Sequence, residues 1–142
     1  MILVDANLIL YAYNSSANQH KAARKWLEET ITKPEVFGLP WISIVAFLRI
    51  SSNPSVFLRP YSIDEACRIV SEWFAQPSVT LLSAGERHWE ILERTLTQSQ
   101  ATGPLVTDAH LAALAIEHGA VLCSTDQDFT RFQGLNFKNP LA

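Results

Sequence analysis

Cysteine, glycine and long apolar runs are all scarce in this sequence, and each scarcity excludes a class of protein. The two cysteines, Cys67 and Cys123, are far apart, which excludes a disulfide framework and predicts reduced thiols in a cytoplasmic protein. The five glycines form no phosphate-binding loop. No apolar run reaches the roughly 18 residues that a membrane span needs. The opening Met-Ile-Leu-Val-Asp lacks the basic start of a signal peptide.

An excess of basic charge is also missing. The chain has 11 basic and 14 acidic residues, a formal net charge of −3. Proteins that coat nucleic acids are usually basic, so this balance argues against non-specific wrapping of DNA but allows an enzyme that binds RNA through a local patch. Hydrophobic residues, in contrast, make up 48% of the 142 positions, enough for a sizeable core. We therefore expect one domain spanning residues 1–142.

Short apolar runs alternate along the chain with longer segments of helical periodicity. The runs predict buried strands at residues 2–4, 36–39, 79–82, 120–124 and 135–137. The periodic segments predict helices at residues 8–12, 20–32, 42–50, 63–74, 86–96 and 106–118, with a short helical turn at 126–132. This alternation predicts an α/β fold, in which a parallel sheet of four to five strands is flanked by helices on both faces.

Three aspartates occupy positions where such a fold concentrates its chemistry. Sites in open parallel sheets form at the carboxyl ends of strands, where the strand order reverses. Asp5 follows the first strand, Asp126 follows the fourth, and Asp108 opens the helix that leads into the fourth. We expect their carboxylates to converge at one edge. Because unpaired carboxylates repel one another and Mg²⁺ prefers oxygen ligands, the three predict a divalent-cation site suited to phosphodiester hydrolysis.

Each aspartate also has an ordinary structural explanation. Asp5 and Asp126 can cap the helices that follow them, and Asp108 lies in a first helical turn, where the helix dipole favours a carboxylate. Capping does not require all three to lie near strand ends, so their joint placement favours a functional site. The four histidines have no zinc-ligand spacing, and surface or core roles explain them better.

Several segments, taken in order, resemble those of PIN-domain proteins. Residues 1–7, Met-Ile-Leu-Val-Asp-Ala-Asn, resemble the family's opening, where Asp-x-Asn follows the first strand. Residues 105–115 are similar to its third acidic motif and residues 124–129 to its fourth. Residues 132–141 look like the tail of VapC toxins, in a subgroup well represented in mycobacteria. The resemblance runs almost from end to end.

The resemblance implies a Rossmann-like PIN fold and an Mg²⁺- or Mn²⁺-dependent endoribonuclease toxin that hydrolyses RNA with a metal-activated water. It implies that Asp5, Asp108 and Asp126 are catalytic, metal-binding residues. The metal ligands would also include Asp128. The residues expected to orient these carboxylates are Asn7 and Thr107. Weaker candidates for phosphate contacts are Arg49, Arg59, Lys21 and Lys25.

The resemblance also implies partners. VapC toxins form homodimers and are inhibited by a VapB-type antitoxin, giving a heterotetramer or larger assembly. We expect the antitoxin to lie in a groove between the N-terminal helices, where a bound helix would block access to metal and RNA. The apolar residues expected near that groove are Leu8, Leu10, Tyr11 and Tyr13.

One position departs from the family pattern and keeps an alternative open. The second acidic residue of the family is usually Glu before Phe-Leu-Arg, whereas this chain has Ala46 there, as a natural or an engineered variant. A catalytically silent PIN module that binds RNA or an antitoxin is therefore one alternative. The other is a phosphatase of the haloacid dehalogenase type, which would need an aspartate where Asn7 stands and a dedicated lysine.

Overall fold

A parallel sheet of five strands forms the centre of the computed structural model, which describes residues 1–142. The strands are β1 (Ile2–Val4), β2 (Phe37–Pro40), β3 (Val79–Leu82), β4 (Val121–Cys123) and β5 (Phe137–Lys138). Their order across the sheet is β3-β2-β1-β4-β5, and every neighbouring pair is parallel. The chain moves outward from β1 to β3 and then returns to β4, so the order reverses between β1 and β4. A ligand site is expected at the carboxyl ends of those two strands.

Helices cover both faces of the sheet, as the sequence predicted. They are α1 (Ala6–Tyr13), α2 (His20–Ile31), α3 (Trp41–Ser51), α4 (Ile63–Phe74), α5 (His88–Ser99) and α6 (Leu105–His118), and a 3₁₀ helix spans Gln127–Arg131. Successive residues of β1 face opposite sides: Ile2 and Val4 pack with α1 to α4, while Leu3 packs with α6. None of these helices is long and apolar enough to cross a membrane.

A glutamate near the end of α6 determines where α5 begins. The Glu117 carboxylate accepts the backbone N–H groups of Gly85 at 2.9 Å and Arg87 at 3.1 Å. These N–H groups lie just before α5, which therefore begins at His88 and not at residue 86 as predicted. His88 Nε2 then lies 2.9 Å from His110 Nδ1 between the two helices, so both histidines have the structural role expected of them.

The apolar residues of α1 mostly pack inward, which corrects the expectation for Leu8. Leu8 is fully buried and cannot contact a partner, whereas Leu10, Tyr11 and Tyr13 are half-buried against the same core. Helix α1 lies against both α2 and α3, and its apolar side chains are used there. Tyr13, in contrast, lines an open groove beside α2 and α4.

Candidate active site

Asp5 is held at the point where the strand order reverses. It is the N-cap of α1, and its Oδ1 accepts the N–H of Ala6 at 2.8 Å. Its own N–H donates to the carbonyl of Cys123 at 3.0 Å, which joins the ends of β1 and β4. The second carboxylate oxygen, Oδ2, accepts the Ser124 hydroxyl at 2.7 Å. Capping and placement at the site are thus compatible for this residue.

Ser124 connects the two strand ends, and sequence reasoning missed it. It is fully buried directly after β4. Besides donating to Asp5, its hydroxyl oxygen accepts the Asn7 side-chain amide and the Asp126 backbone N–H, each at 3.0 Å. Its position between an apolar strand and an acidic residue was the only signal in the sequence. Asn7 therefore acts on Asp5 through Ser124 and not by direct contact.

Three carboxylates form a tight acidic cluster beside Ser124. Oxygen atoms of Asp108, Asp126 and Asp128 all lie within 4.8 Å of one another. Asp126 Oδ1 accepts the backbone N–H of Asp128 at 2.9 Å, which fixes the start of the 3₁₀ helix. Asp108 enters from the first turn of α6. Asp5 lies outside the tight group, although it shares a small pocket of about 110 Å³ with Asp108.

Crowding of like charges changes the proton affinity of these groups. Burial, with added repulsion from Asp126, Asp5 and Asp128 in that order, raises the pKa of Asp108 to about 6. Burial raises the pKa of Asp5 as well, and the charge of Asp126 adds to it. Four acidic side chains thus repel one another in a partly buried site. A bound cation would remove that cost.

The donor set fits a hard divalent cation. The acidic cluster offers carboxylate oxygens and neither imidazole nor thiolate, the pattern that favours Mg²⁺ or Mn²⁺ over zinc. The buried Oδ1 of Asn7 has no hydrogen-bond partner, so an acceptor oxygen is left unused beside the site. Asp108, Asp126 and Asp128 could hold such an ion, with Asp5 adjacent.

Some of the remaining predicted residues lie near the acidic side chains and others lie far from them. Ala46 lines the small pocket with Asp5 and Asp108, as expected for the position where relatives carry Glu. Thr107 also lines it and is exposed at the start of α6; it makes no hydrogen bond with a carboxylate, and its orienting role stays a prediction. Arg49 lines an adjoining groove. Arg59 lies at the far end of α1.

Ser124→Ala is expected to weaken Mn²⁺ binding by roughly 10-fold, the lower end of the range for groups that orient metal ligands. The variant removes the hydrogen bond that lowers the pKa of Asp5, leaves the N–H of Asp126 without its acceptor, and reduces the partners of the Asn7 amide to the Thr125 hydroxyl. Titration calorimetry measures the affinity. Ser43→Ala is the matched control, because Ser43 lines the same pocket but donates to the carbonyl of Val4. Equal losses in both variants would contradict the assignment.

Comparison with known proteins agrees with this geometry. A family model described as the PIN domain matches residues 2–135. The chain belongs to the PIN-domain family. Within that family, Ribonuclease VapC37 of Mycobacterium tuberculosis is 40% identical over 142 residues, covering 100% of this chain and 99% of the relative. Ribonuclease VapC33 of the same species is 38% identical, covering 99% of each chain.

Two solved structures share the fold of this chain. VapBC2 from Rickettsia felis, bound to a DNA fragment from its promoter, superposes with a TM-score of 0.67 at 16% identity, covering 98% of both chains. M. tuberculosis VapC20, described as a sarcin-ricin loop cleaving toxin, gives a TM-score of 0.65 at 16% identity, covering 96% of this chain and 99% of that one. At such identities the likeness concerns the fold alone.

Proposed function

We propose that this chain, one PIN domain over residues 1–142, is a divalent-metal-dependent endoribonuclease toxin of a type II toxin–antitoxin pair. The observation that carries the proposal is the acidic cluster of Asp108, Asp126 and Asp128, next to Asp5 at the point of strand reversal. Relatives that match from end to end are named VapC ribonucleases, which supports the same activity. We assign Asp5, Asp108 and Asp126 as the catalytic acids, and Asp128 as a further metal ligand.

The chain's own side chains would prepare the site for phosphodiester hydrolysis. A bound Mg²⁺ or Mn²⁺ would polarise the phosphoryl oxygen and activate water. Ser124 and Asn7 keep Asp5 in one orientation, and the N–H of Asp128 does the same for Asp126. These hydrogen bonds hold the carboxylates in one orientation before an ion binds. The carboxylates therefore lose little conformational freedom on binding it.

A groove next to the small pocket gives RNA a path to the acids. It has a volume of about 510 Å³ and shares Ile42, Ala46 and Thr107 with the pocket that contains Asp5 and Asp108. Arg49 lines this groove, so the structure supports it as a phosphate contact. Arg59 lies away from the acids, and we no longer propose that it contacts the scissile strand.

Incubation of the protein with an RNA ladder across a Mn²⁺ titration tests the proposed activity. Cleavage that requires the metal supports the endoribonuclease. RNA binding without cleavage would favour the silent module, for which the missing carboxylate at Ala46 is the argument. A phosphatase of the haloacid dehalogenase type would instead hydrolyse a phosphate monoester, and the family match gives that alternative no support.

The groove beside α2 and α4 is our candidate site for a VapB-type antitoxin. Two adjoining hollows of about 220 and 470 Å³ share Tyr13 and Arg24, and the smaller one has apolar walls from Leu27, Ile31 and Trp73. These hollows lie at the C-terminal end of α1, whereas Asp5 caps its N-terminus, roughly 12 Å away for eight helical residues. An antitoxin must therefore extend beyond the groove to cover the acids.

An exposed apolar patch next to the site supports the expected homodimer. Trp41 and Val45 are each 55% exposed on α3, and Val106 is 41% exposed at the start of α6. Contiguous exposed apolar side chains of this kind mark interaction surfaces. Trp41 and Val45 also line the groove that contains Arg49, so the dimer contact and the proposed RNA path would share this side of α3. Pairing there would place two acidic sites near one another.

Trp41→Ala is expected to convert the dimer into a monomer of 15.9 kDa at micromolar concentration. A buried interface tryptophan typically contributes about 2 kcal/mol or more, which weakens association by about 30-fold or more. Sedimentation velocity, with and without an antitoxin encoded beside the gene, measures the assembly. Trp89→Ala is the control, since Trp89 is exposed on α5 and lines none of these grooves. A wild-type monomer would refute the proposed dimer.

A further inference from the structure

Arg131 emerges from the same short helix as one of the clustered acids. The 3₁₀ helix Gln127–Arg131 follows Asp126 and contains Asp128, and residues three apart eclipse each other in a helix of three residues per turn. Arg131 is therefore on the side of the helix that carries Asp128. Phe129 is buried on another side, with 1% of its surface exposed, and fixes the helix against the core. The direction of the Arg131 side chain thus follows from the backbone.

The guanidinium of Arg131 has no partner within the protein. The chain contains four ion pairs within 4 Å, and none includes Arg131. No hydrogen bond from its side chain to another group is present, and the residue is exposed. It lies three residues after Asp128, a member of the acidic cluster, on the same side of the short helix. A free cation thus lies beside the acidic cluster without neutralising any of its members by contact.

Charge balance makes such a cation important for an RNA substrate. A cluster of carboxylates repels the phosphate backbone, and the chain as a whole is negative. A guanidinium presents five N–H donors in a planar fork that matches the oxygens of a phosphate. Because Arg131 has no carboxylate partner, a phosphate can occupy its donors at no cost in broken ion pairs.

We propose that Arg131 binds a backbone phosphate of RNA next to the acidic cluster and so positions the strand for cleavage. This assignment rests on the proposed endoribonuclease function and adds a residue that neither the motifs nor the comparisons provide. Arg131 would then add to the phosphate contact proposed for Arg49, which lines the groove that meets the pocket through Ala46 and Thr107. Arg131 is a positioning residue and takes no part in proton transfer.

The position of Arg131 predicts opposite effects on two ligands. Removing its positive charge should weaken RNA binding, because a phosphate loses its partner. The same change should strengthen Mn²⁺ binding, because a positive charge that repels the ion is removed. We expect an effect of roughly 2- to 5-fold for a screened charge near the ion. A purely structural role would lower both affinities together, and a solvated surface charge would change neither.

Arg131→Gln tests the assignment in the intact chain. Fluorescence anisotropy with a single-stranded RNA oligonucleotide, in EDTA and at several KCl concentrations, gives affinity without cleavage. We expect about 10-fold weaker binding, and a slope of log affinity against log salt that falls in magnitude by about 0.7, the value for one phosphate contact on a single strand. Arg131→Lys should keep the slope and recover part of the affinity. Arg94→Gln, on the exposed side of α5, should match the wild type.

The possible outcomes separate this proposal from the one it rests on. If Arg131→Gln has the affinity, salt slope and Mn²⁺ binding of Arg94→Gln, the phosphate contact is refuted while the endoribonuclease remains. If Arg131→Gln loses antitoxin binding with an unchanged RNA slope, the residue belongs to a protein interface and the assignment also fails. If the wild-type protein neither binds nor cuts RNA, the proposed function itself fails.

Discussion

Asp108→Asn is expected to remove most RNA cleavage while making the metal-free protein more stable. The variant deletes a charged ligand from the acidic cluster, and losing one preorganised charge at a reaction centre typically costs about 10²–10³-fold in rate. It also deletes one of the charges that repel one another there. Most substitutions lower the stability of a protein. A variant with lower cleavage activity but higher stability would therefore indicate a site arranged for a cation.

The pH dependence of that stability change follows from the pKa of Asp108. The folded protein raises this pKa from 3.8 to about 6, so ionisation is harder in the folded state than in the unfolded chain. The resulting destabilisation is absent below pH 4, grows between pH 4 and 6, and is complete above pH 6. At pH 7.5 we expect Asp108→Asn to melt roughly 2–4 °C higher, or about 1 kcal/mol after allowance for solvent screening of a partly exposed group.

Thermal unfolding in EDTA at pH 4 and pH 7.5 checks whether the variant is more stable at pH 7.5 and whether the difference disappears at pH 4. The melting temperatures of variant and wild type should converge at pH 4. Asp64→Asn is the control, since Asp64 lies in the first turn of α4, where its loss should leave stability unchanged or lower it slightly. Full cleavage activity in Asp108→Asn would remove this residue from the proposed catalytic set.

Ala46→Glu is expected to tighten Mn²⁺ binding and accelerate cleavage by roughly 10–100-fold, the range for residues that tune a metal site. Ala46 lines the pocket shared by Asp5 and Asp108, so a longer side chain there is directed at the acids. The pocket of about 110 Å³ gives it room. Glutamate also favours the helical backbone of α3.

A neutral isostere separates charge from size at this position. Ala46→Gln fills the same space without adding a ligand charge, so it should leave metal affinity near the wild-type value. In EDTA, Ala46→Glu should be less stable than Ala46→Gln, because an additional carboxylate then faces the cluster without a cation. RNA cleavage by all three proteins across a Mn²⁺ titration is the measurement. Equal rates and equal metal affinities would show that the site operates without a carboxylate at position 46.

The main elements could be predicted from sequence because their signals are local. The apolar run of β1 ends at an acid, and Ser62 and Glu65 form the capping box expected at the start of α4. Element ends were less accurate where distant residues determine them. Helix α5 begins two residues late because Glu117, 30 residues downstream, accepts the N–H of Arg87. No window around residue 87 contains that information.

The site was predictable in its acids but not in its contacts. Strand ends and motifs located Asp5, Asp108 and Asp126, because topology brings strand ends together. The role of Ser124 could not be predicted, because a serine after a strand is common. Its importance depends on Asn7 and Asp5, which are more than 100 positions away. The distance of Arg59 from the acids was not predictable for a related reason: the local sequence around a basic residue does not indicate the face on which it lies.

The order of the strands also determines when the acidic cluster can form during synthesis of the chain. Strand β1 leaves the ribosome first but lies at the centre of the sheet, with β2 on one side and β4 on the other. Asp5 and Asp126 are 121 positions apart (126 − 5), so the nascent chain has no acidic site until β4 and the turn after it have emerged. Pairing of strands that are so far apart in the sequence is also slow. A nascent chain therefore lacks the assembled acidic cluster for most of its synthesis, and a premature stop before residue 126 yields a fragment without Asp126 and Asp128.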